Sequence, residues 1–457
     1  MTGADPDYDV VVLGGGSGGY ACALRSAQLG LRVALVERDR LGGTCLHRGC
    51  IPTKALLHAA EVADTARDGA RFGVHSTVES IDLAAVLGYQ QGVVAQLHKG
   101  LQGLVSAASI DYVEGTGRVL SATEVRVGDR VLRGRTLVLA TGSTAASLPG
   151  LDLGGRVVGS DQALTLTQLP ESVVVLGGGV IGVEFASIFR SFGAAVTIIE
   201  ALPRLVSGED EAISAQLERA FRKRGITART GTRFAGATQD ETSVTVTLED
   251  GGTLAADLLL VAVGRRPVTA ELGFETAGVT LDRGYVVTDE RLRAAPGVYA
   301  VGDIVPGLQL AHRGFAHGIF VAEEVAGLAP QPVHDRGIPR VTYCDPEIAS
   351  VGLTESQARE QLGEVRTYSY NLAGNGKSKI LGTQGFVKLV GMIDGPVVGV
   401  HMIGARMGEQ IGEAALIVGW EATPDDVAPL LHAHPTQNEA LGEAHLALAG
   451  KPLHAHG

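Results

Sequence analysis

Cys45 and Cys50 are the residues of this chain whose type and spacing point most directly to chemistry. They stand in the run LGGTCLHRGCIPTK, from Leu41 to Lys54. Two cysteines five positions apart on a helix-like turn bring their sulfurs near bonding range. Gly42, Gly43 and Gly49 mark tight turns, and Pro52 suits the first turn of a following helix. A structural metal site would need two further ligands at matching spacing, and no cysteine supplies them. With only four cysteines in 457 residues, a structural disulfide framework is excluded, and a cysteine pair in a reducing compartment is more often catalytic. A redox-active dithiol is the expected chemistry. Cys22, on an alanine-rich helix, reads as a small core residue, and Cys344 as structural.

A dithiol substrate must become a thiolate before it attacks a disulfide, so a base is required. The segment LHAHPTQNE, Leu431 to Glu439, offers two imidazoles, His432 and His434, and a carboxylate that could fix a tautomer. Histidines at 432, 434, 445, 454 and 456 could suggest a metal. They lack Cys or Asp partners at ligand spacing, so no metal is expected.

Such groups need a scaffold, and a repeat supplies it. Residues 10–37 read VVVLGGGSGGYACALRSAQLGLRVALVE, and residues 173–200 read VVVLGGGVIGVEFASIFRSFGAAVTIIE. Without a gap, Gly14, Gly16, Gly19 and Glu37 map onto Gly177, Gly179, Gly182 and Glu200. Each copy is a buried strand, a G-x-G-x-x-G turn, a helix and a second strand ending in Glu, which is the dinucleotide fingerprint in its full context. The first Gly permits the turn, the second lets backbone approach a pyrophosphate, and the third packs helix on strand. The helix N-terminus offers N–H donors to phosphate. Two sites imply two dinucleotides and electron transfer between them. Glu200 would repel a 2′-phosphate, so the second site favours NAD over NADP.

The run GGTCLHRGCIPTK resembles the redox-active segment of the flavoprotein disulfide reductases, and the likeness extends over nearly the whole chain. Within that family it is most similar to the members that oxidise dihydrolipoamide. The resemblance implies FAD and NAD as cofactors, Cys45 exchanging with substrate, and Cys50 contacting the flavin as a charge-transfer thiolate. Lys54 would lie near the flavin, paired with Glu184; a cation there lowers a thiol pKa. His434, which directly precedes Pro-Thr, and Glu439 match the family's catalytic pair. Gly43, Thr44, Gly117, Thr141, Gly142 and Ser143 match further FAD contacts. In Gly297–Asp303, Asp303 would hold a ribityl hydroxyl, and Ala311 would start a helix beneath the flavin. Gly314 and Phe315 depart from the commoner family wording, and the expectation is a weakened, bulkier helix there. Gly264 marks the exit from the NAD domain.

The implied fold class is α/β, with two Rossmann-like dinucleotide-binding domains and an α+β C-terminal dimerisation domain. Residues 1–147 would bind FAD, 148–268 would bind NAD, 269–337 would complete the FAD site, and 338–457 would form a homodimer interface. The implied reaction is oxidation of dihydrolipoamide by NAD⁺. The lipoamide would arrive on the lipoyl domain of a 2-oxoacid dehydrogenase acyltransferase or of the glycine cleavage system.

Composition removes other classes. The net charge is −12 with no block of Lys or Arg, so nucleic acid is not an expected partner. The acidic start MTGADPD is no secretory signal. Glycines and Glu184 interrupt the apolar stretch Val173–Phe189, which favours strand–turn–helix over a membrane span. A cytoplasmic protein is expected. A reductase of a low-molecular-weight disulfide such as glutathione would want basic residues where Glu200 stands. A mercuric reductase is disfavoured because no cysteine follows Cys344. A non-catalytic flavoprotein that binds NADH as a sensor would have no use for Cys45, Cys50, His434 and Glu439 together.

Overall fold

A computed structural model describes residues 6–454; residues 1–5 and 455–457, His456 among them, lie outside it. The chain divides into two compact units, each assembled from separate segments. One joins the stretch ending at Leu56 with Ala84–Ala146 and Arg265–Asp335. The other joins Leu57–Leu83, Ser147–Gly264 and the stretch from Arg336 onward.

The first unit is organised by a twisted sheet. Its parallel part runs in the order Val298–Ala300, Arg130–Leu139, Tyr8–Leu13, Val33–Glu37, Asp111–Glu114. Val10 to Leu13 are buried without alternation, as a parallel strand covered on both faces requires. Burial of each such Val or Leu is worth about 1.5–3 kcal/mol. The helix Ser17–Gln28 follows the first strand and packs against the helix Ala311–Val325. The expectation that Gly314 weakens the latter helix is not met: it runs unbroken for 15 residues. A Cβ on Gly314 would lie 2.8 Å from Ser17 Oγ, and one on Gly318 would lie 2.2 Å from the Gly18 carbonyl oxygen. These glycines let the two helices touch through backbone. Phe315 adds its bulk beside Tyr20, with ring centroids 5.5 Å apart.

The second unit holds two sheets that matter to function. A parallel five-stranded sheet runs Ile226–Arg229, Ala195–Ile199, Ser172–Leu176, Leu258–Val261, Val157–Gly159. An antiparallel five-stranded sheet runs Arg340–Thr342, Glu347–Gly352, Val397–Gly404, Phe386–Met392, Val365–Asn371. The helices Met407–Gly419 and Glu439–Leu448 pack on this second sheet. The architecture is therefore α/β, with two Rossmann-like sheets and a C-terminal α+β domain.

Candidate active site

The two glycine turns have nearly the same geometry. Gly14 has φ +111° and Gly177 has φ +110°, values that favour glycine. A Cβ on Gly14 would lie 2.2 Å from the Ala140 carbonyl oxygen, and one on Gly177 would lie 2.4 Å from that of Ala262. Gly19 and Gly182 press the helix onto the turn, where a Cβ would come within 1.8 Å and 1.9 Å of Gly14 and Gly177 oxygens. By contrast, Gly16 and Gly179 face open space, and no side chain caps either following helix. Those N–H groups are donors suited to a phosphate. FAD at the first turn and NAD at the second fit this cradle.

Glu37 ends its strand and Glu200 directly follows its own, in matching places of the two copies. Glu37 accepts the Gly15 N–H at 2.7 Å and the Asp39 N–H at 2.8 Å. Glu200 accepts the Gly178 N–H at 2.6 Å and the Leu202 N–H at 2.7 Å. Burial raises the Glu37 carboxyl above its ordinary value, against the backbone N–H bonds that favour its charge. Arg204 is turned into the protein, donating to the Glu209 carbonyl at 2.7 Å and to Ser214 Oγ at 2.9 Å. Its head is thus committed to backbone and hydroxyl partners.

Around the first turn, a cleft is lined by Gly14, Glu37, Gly115, Gly117, Thr141 and Val268. Thr141 Oγ1 donates to the Val268 carbonyl at 2.5 Å, and Gly142 takes φ +71°. Ser143 Oγ donates to Asp303 Oδ2 at 2.5 Å. Ala311 opens its helix directly after Leu310. Two residues in this region escaped the sequence reading. Arg265 donates to Ser143 Oγ and to the Ser143 carbonyl, both at 2.7 Å, and so braces Asp303 at one remove. Its signal was the doubled arginine after Gly264. Gly115, at φ +143°, donates its N–H to the Glu37 carbonyl at 2.8 Å. The glycine-rich EGTG was its signal.

Cys45 lies in the short helix Gly43–Arg48, and Cys50 opens the long helix Cys50–Asp68. Gly49 makes the join: a Cβ there would meet the Thr44 carbonyl oxygen at 3.1 Å and Cys45 Cα at 3.4 Å. Gly43 (φ +60°) seats this segment on the first fingerprint, since its Cβ would come within 2.7 Å of Gly16 Cα. Thr44 Oγ1 donates to the Ser143 carbonyl at 3.4 Å. The Cys45 thiol is pushed well above its ordinary value. Its hydrogen bond with Cys50 is the largest cause, followed by burial, while the Lys54 ammonium opposes the shift. The Cys45 thiol is therefore held towards its protonated form, and the Lys54 ammonium is near enough to work against that shift. Burial and these two sulfurs also raise Tyr20 to about 12.

In the second unit, Glu184 is buried on the helix Val180–Ser191 and accepts the Tyr343 N–H at 2.9 Å. Cys344 is buried and its Sγ donates to the Pro346 carbonyl at 3.2 Å. Burial raises this thiol, and Glu184 adds to the effect, so an inert thiol is the physical result. Cys22 is likewise buried and raised to about 12.

The two candidate bases each have a glutamate. His434 Nδ1 lies 2.7 Å from Glu439 Oε1, and Glu439 Oε2 accepts the Thr436 N–H at 2.7 Å. His432 Nε2 lies 2.9 Å from Glu413 Oε1. Exposure separates them: the His434 side chain is 77% accessible and that of His432 only 10%. Of these two, only His434 presents a ring nitrogen outward with its other nitrogen held. No cluster of His, Cys, Asp or Glu suited to a metal occurs among the described residues. No helix among them is long and apolar enough to cross a membrane.

Comparison with known proteins matches residues 8–318 to the pyridine nucleotide-disulphide oxidoreductase family and residues 338–445 to its dimerisation domain. The chain belongs to this oxidoreductase family. Among its relatives is a dihydrolipoyl dehydrogenase of Bacillus subtilis, 40% identical, with 98% of this chain and 99% of the relative covered. Dihydrolipoyl dehydrogenase 3 of Pseudomonas aeruginosa is also 40% identical at the same coverage. The crystal structure of LpdA from Mycobacterium tuberculosis superposes with a TM-score of 0.90 at 26% identity, covering 96% of this chain and 99% of that one. This oxidoreductase thus shares nearly its whole length with these proteins, dimerisation domain included.

Proposed function

We propose that this flavoprotein oxidises protein-bound dihydrolipoamide to lipoamide and reduces NAD⁺ to NADH. Gly14, Gly16, Gly19, Glu37, Thr141, Gly142, Ser143 and Asp303 would hold FAD, and Gly177, Gly179, Gly182 and Glu200 would hold the nicotinamide dinucleotide. Bound FAD would supply the two-electron chemistry that links the protein dithiol to NAD⁺.

The chain's own groups carry the sulfur chemistry. His434 takes the proton from one substrate thiol, and Glu439 stabilises the imidazolium that results. The substrate thiolate attacks Cys45 of the oxidised pair, forming a mixed disulfide and releasing Cys50 as thiolate. The second substrate thiol displaces Cys45, which closes lipoamide and leaves the protein as a dithiol. Lys54 favours negative charge on Cys50. The active unit is a homodimer in which Cys45 of one chain faces the partner's His434. Substrate arrives on the lipoyl domain of another protein, in the cytoplasm.

The observation that carries this reading is the bond between His434 and Glu439. A flavoprotein that only passed electrons from NADH to a small acceptor would need no oriented, outward-facing base. Steady-state assay with dihydrolipoamide and NAD⁺ tests it. NADH formation at a rate well above that of a Cys45→Ser variant is expected. No turnover, with flavin bound and NADH oxidised by an artificial acceptor, would overturn the substrate assignment.

A further inference from the structure

His434 sits in a stretch without regular structure, between the helices Pro424–Val427 and Glu439–Leu448, and its ring is largely exposed. A base in such a place must be held to within about half an ångström to work well. Glu439 orients the ring and accepts the Thr436 N–H at 2.7 Å, but it stands on the same segment and does not tie it to any other. A buried polar chain beneath the segment does.

Thr436, two residues after His434, has its carbonyl oxygen held by Asn375 Nδ2 at 3.0 Å. Gln437 turns inward and is 7% exposed. Its Oε1 accepts from Ser378 Oγ at 2.6 Å, and its Nε2 donates to the Ala405 carbonyl at 2.9 Å. Asn375 Oδ1 in turn accepts the Ser378 N–H at 2.8 Å, capping the short helix Gly376–Leu381. Gly376, between them, is the residue whose Cβ would come within 4.0 Å of His434 Cε1. The turn Asn375–Ser378 thus lies beside the imidazole, and Gln437 bolts the loop to it. Burying a carboxamide and a hydroxyl is costly unless both are satisfied. Apolar residues at both 437 and 378 would fill the space without that cost, so the polar pair serves position.

We infer that Gln437, with Ser378 and Asn375, is a positioning residue that sets the height and direction of the His434 base. This rests on reading His434 as the base. Loss of the anchor lowers proton abstraction from the substrate thiol and leaves the nicotinamide half-reaction untouched.

The test uses the FAD-loaded dimer and two variants. Gln437→Leu removes the anchor. Asn375→Asp keeps the acceptor for Ser378 N–H but replaces the donor to Thr436 with a repelling oxygen. For both, kcat with dihydrolipoamide and NAD⁺ should fall by about tenfold or more, the scale expected when a reacting group is displaced. The alkaline or acid limb of the pH–kcat profile should shift. NADH oxidation by an artificial electron acceptor should stay at the wild-type rate. Wild-type lipoamide turnover in either variant overturns the inference. So does a parallel fall of both activities with melting temperature, which is a structural role only. Should Gln437→Leu not fold, Asn375→Asp decides. If wild-type enzyme itself fails to oxidise dihydrolipoamide, the substrate reading fails instead.

Discussion

Glu200 holds the second glycine turn as Glu37 holds the first, each closing its strand onto the N–H of the residue after the first glycine, at 2.6 Å and 2.7 Å. The carboxylate is therefore built into the turn, close to where an adenosine ribose would lie. Replacing Glu200 by Ala removes both a ribose acceptor and a charge that repels a 2′-phosphate. The ratio of kcat/KM for NAD⁺ over NADP⁺ should narrow by about ten- to a hundredfold, a coupling of a few kcal/mol. Arg204 will not supply the 2′-phosphate contact while it bonds Glu209 and Ser214. Kinetics with both coenzymes decide; an unchanged ratio would move specificity away from Glu200.

Cys50→Ser leaves the glycine turns and their bonds intact but removes the leaving thiolate. Lipoamide turnover should drop to background while FAD stays bound and NADH still reduces an artificial acceptor. Normal lipoamide activity in this variant would refute the dithiol mechanism.

His432 and Glu413 predict a pH window for stability. The hydrogen bond to Glu413 raises His432, and the same bond lowers Glu413. A raised histidine contributes fully below its unfolded value, about 6.5, and the contribution is lost as pH rises through the higher folded value. The lowered Glu413 contributes above its unfolded value, about 4.3, and is lost as pH falls. The deficit in melting temperature of His432→Gln should therefore be greatest between about pH 4.5 and 6.5 and shrink on either side. Lipoamide turnover should stay near wild type, as the assignment of the base to His434 requires. Loss of turnover comparable to that of His434→Ala would reverse the assignment.

A shared site makes a quantitative prediction. Cys50→Ser and His434→Ala are each inactive alone. In a mixed dimer one site regains an intact cysteine pair and an intact histidine, while the other loses both. Random pairing makes about half the dimers mixed, so roughly a quarter of wild-type activity should return. No recovery in dimers shown by mass spectrometry to be mixed would place the whole site in one chain.

Much of this was legible in the sequence because the informative residues act locally. A G-x-G-x-x-G turn is dictated by backbone sterics, and both copies show it to within a degree of φ at Gly14 and Gly177. The His434–Glu439 pair spans five residues and was legible for the same reason. Arg265 was missed because its partner Ser143 is brought to it only by the antiparallel pairing of Ser143–Ala145 with Arg265–Pro267. Gly314 was misjudged because propensity describes an isolated helix. Here the facing helix Ser17–Gln28 leaves room for nothing larger. The polar chain of Asn375, Ser378 and Gln437 joins segments some sixty residues apart, and no single window contains it.

The split make-up of the first unit sets an order on its synthesis. The strand Arg130–Leu139 has Tyr8–Leu13 on one side as soon as it leaves the ribosome, but its other parallel neighbour, Val298–Ala300, has yet to be translated. At ordinary rates of synthesis that delay is on the order of ten seconds or more. Throughout it the apolar end of that strand, Leu137 to Leu139, presents an unpaired edge, a feature that can recruit another nascent chain. The intervening segment can meanwhile complete the second parallel sheet. A fragment ending at Ala146 should therefore aggregate, and co-expression of Arg265–Asp335 should reduce the light scattering. If so, the late strand acts as a chaperone in cis, and slower translation between the two should lower the yield of folded protein.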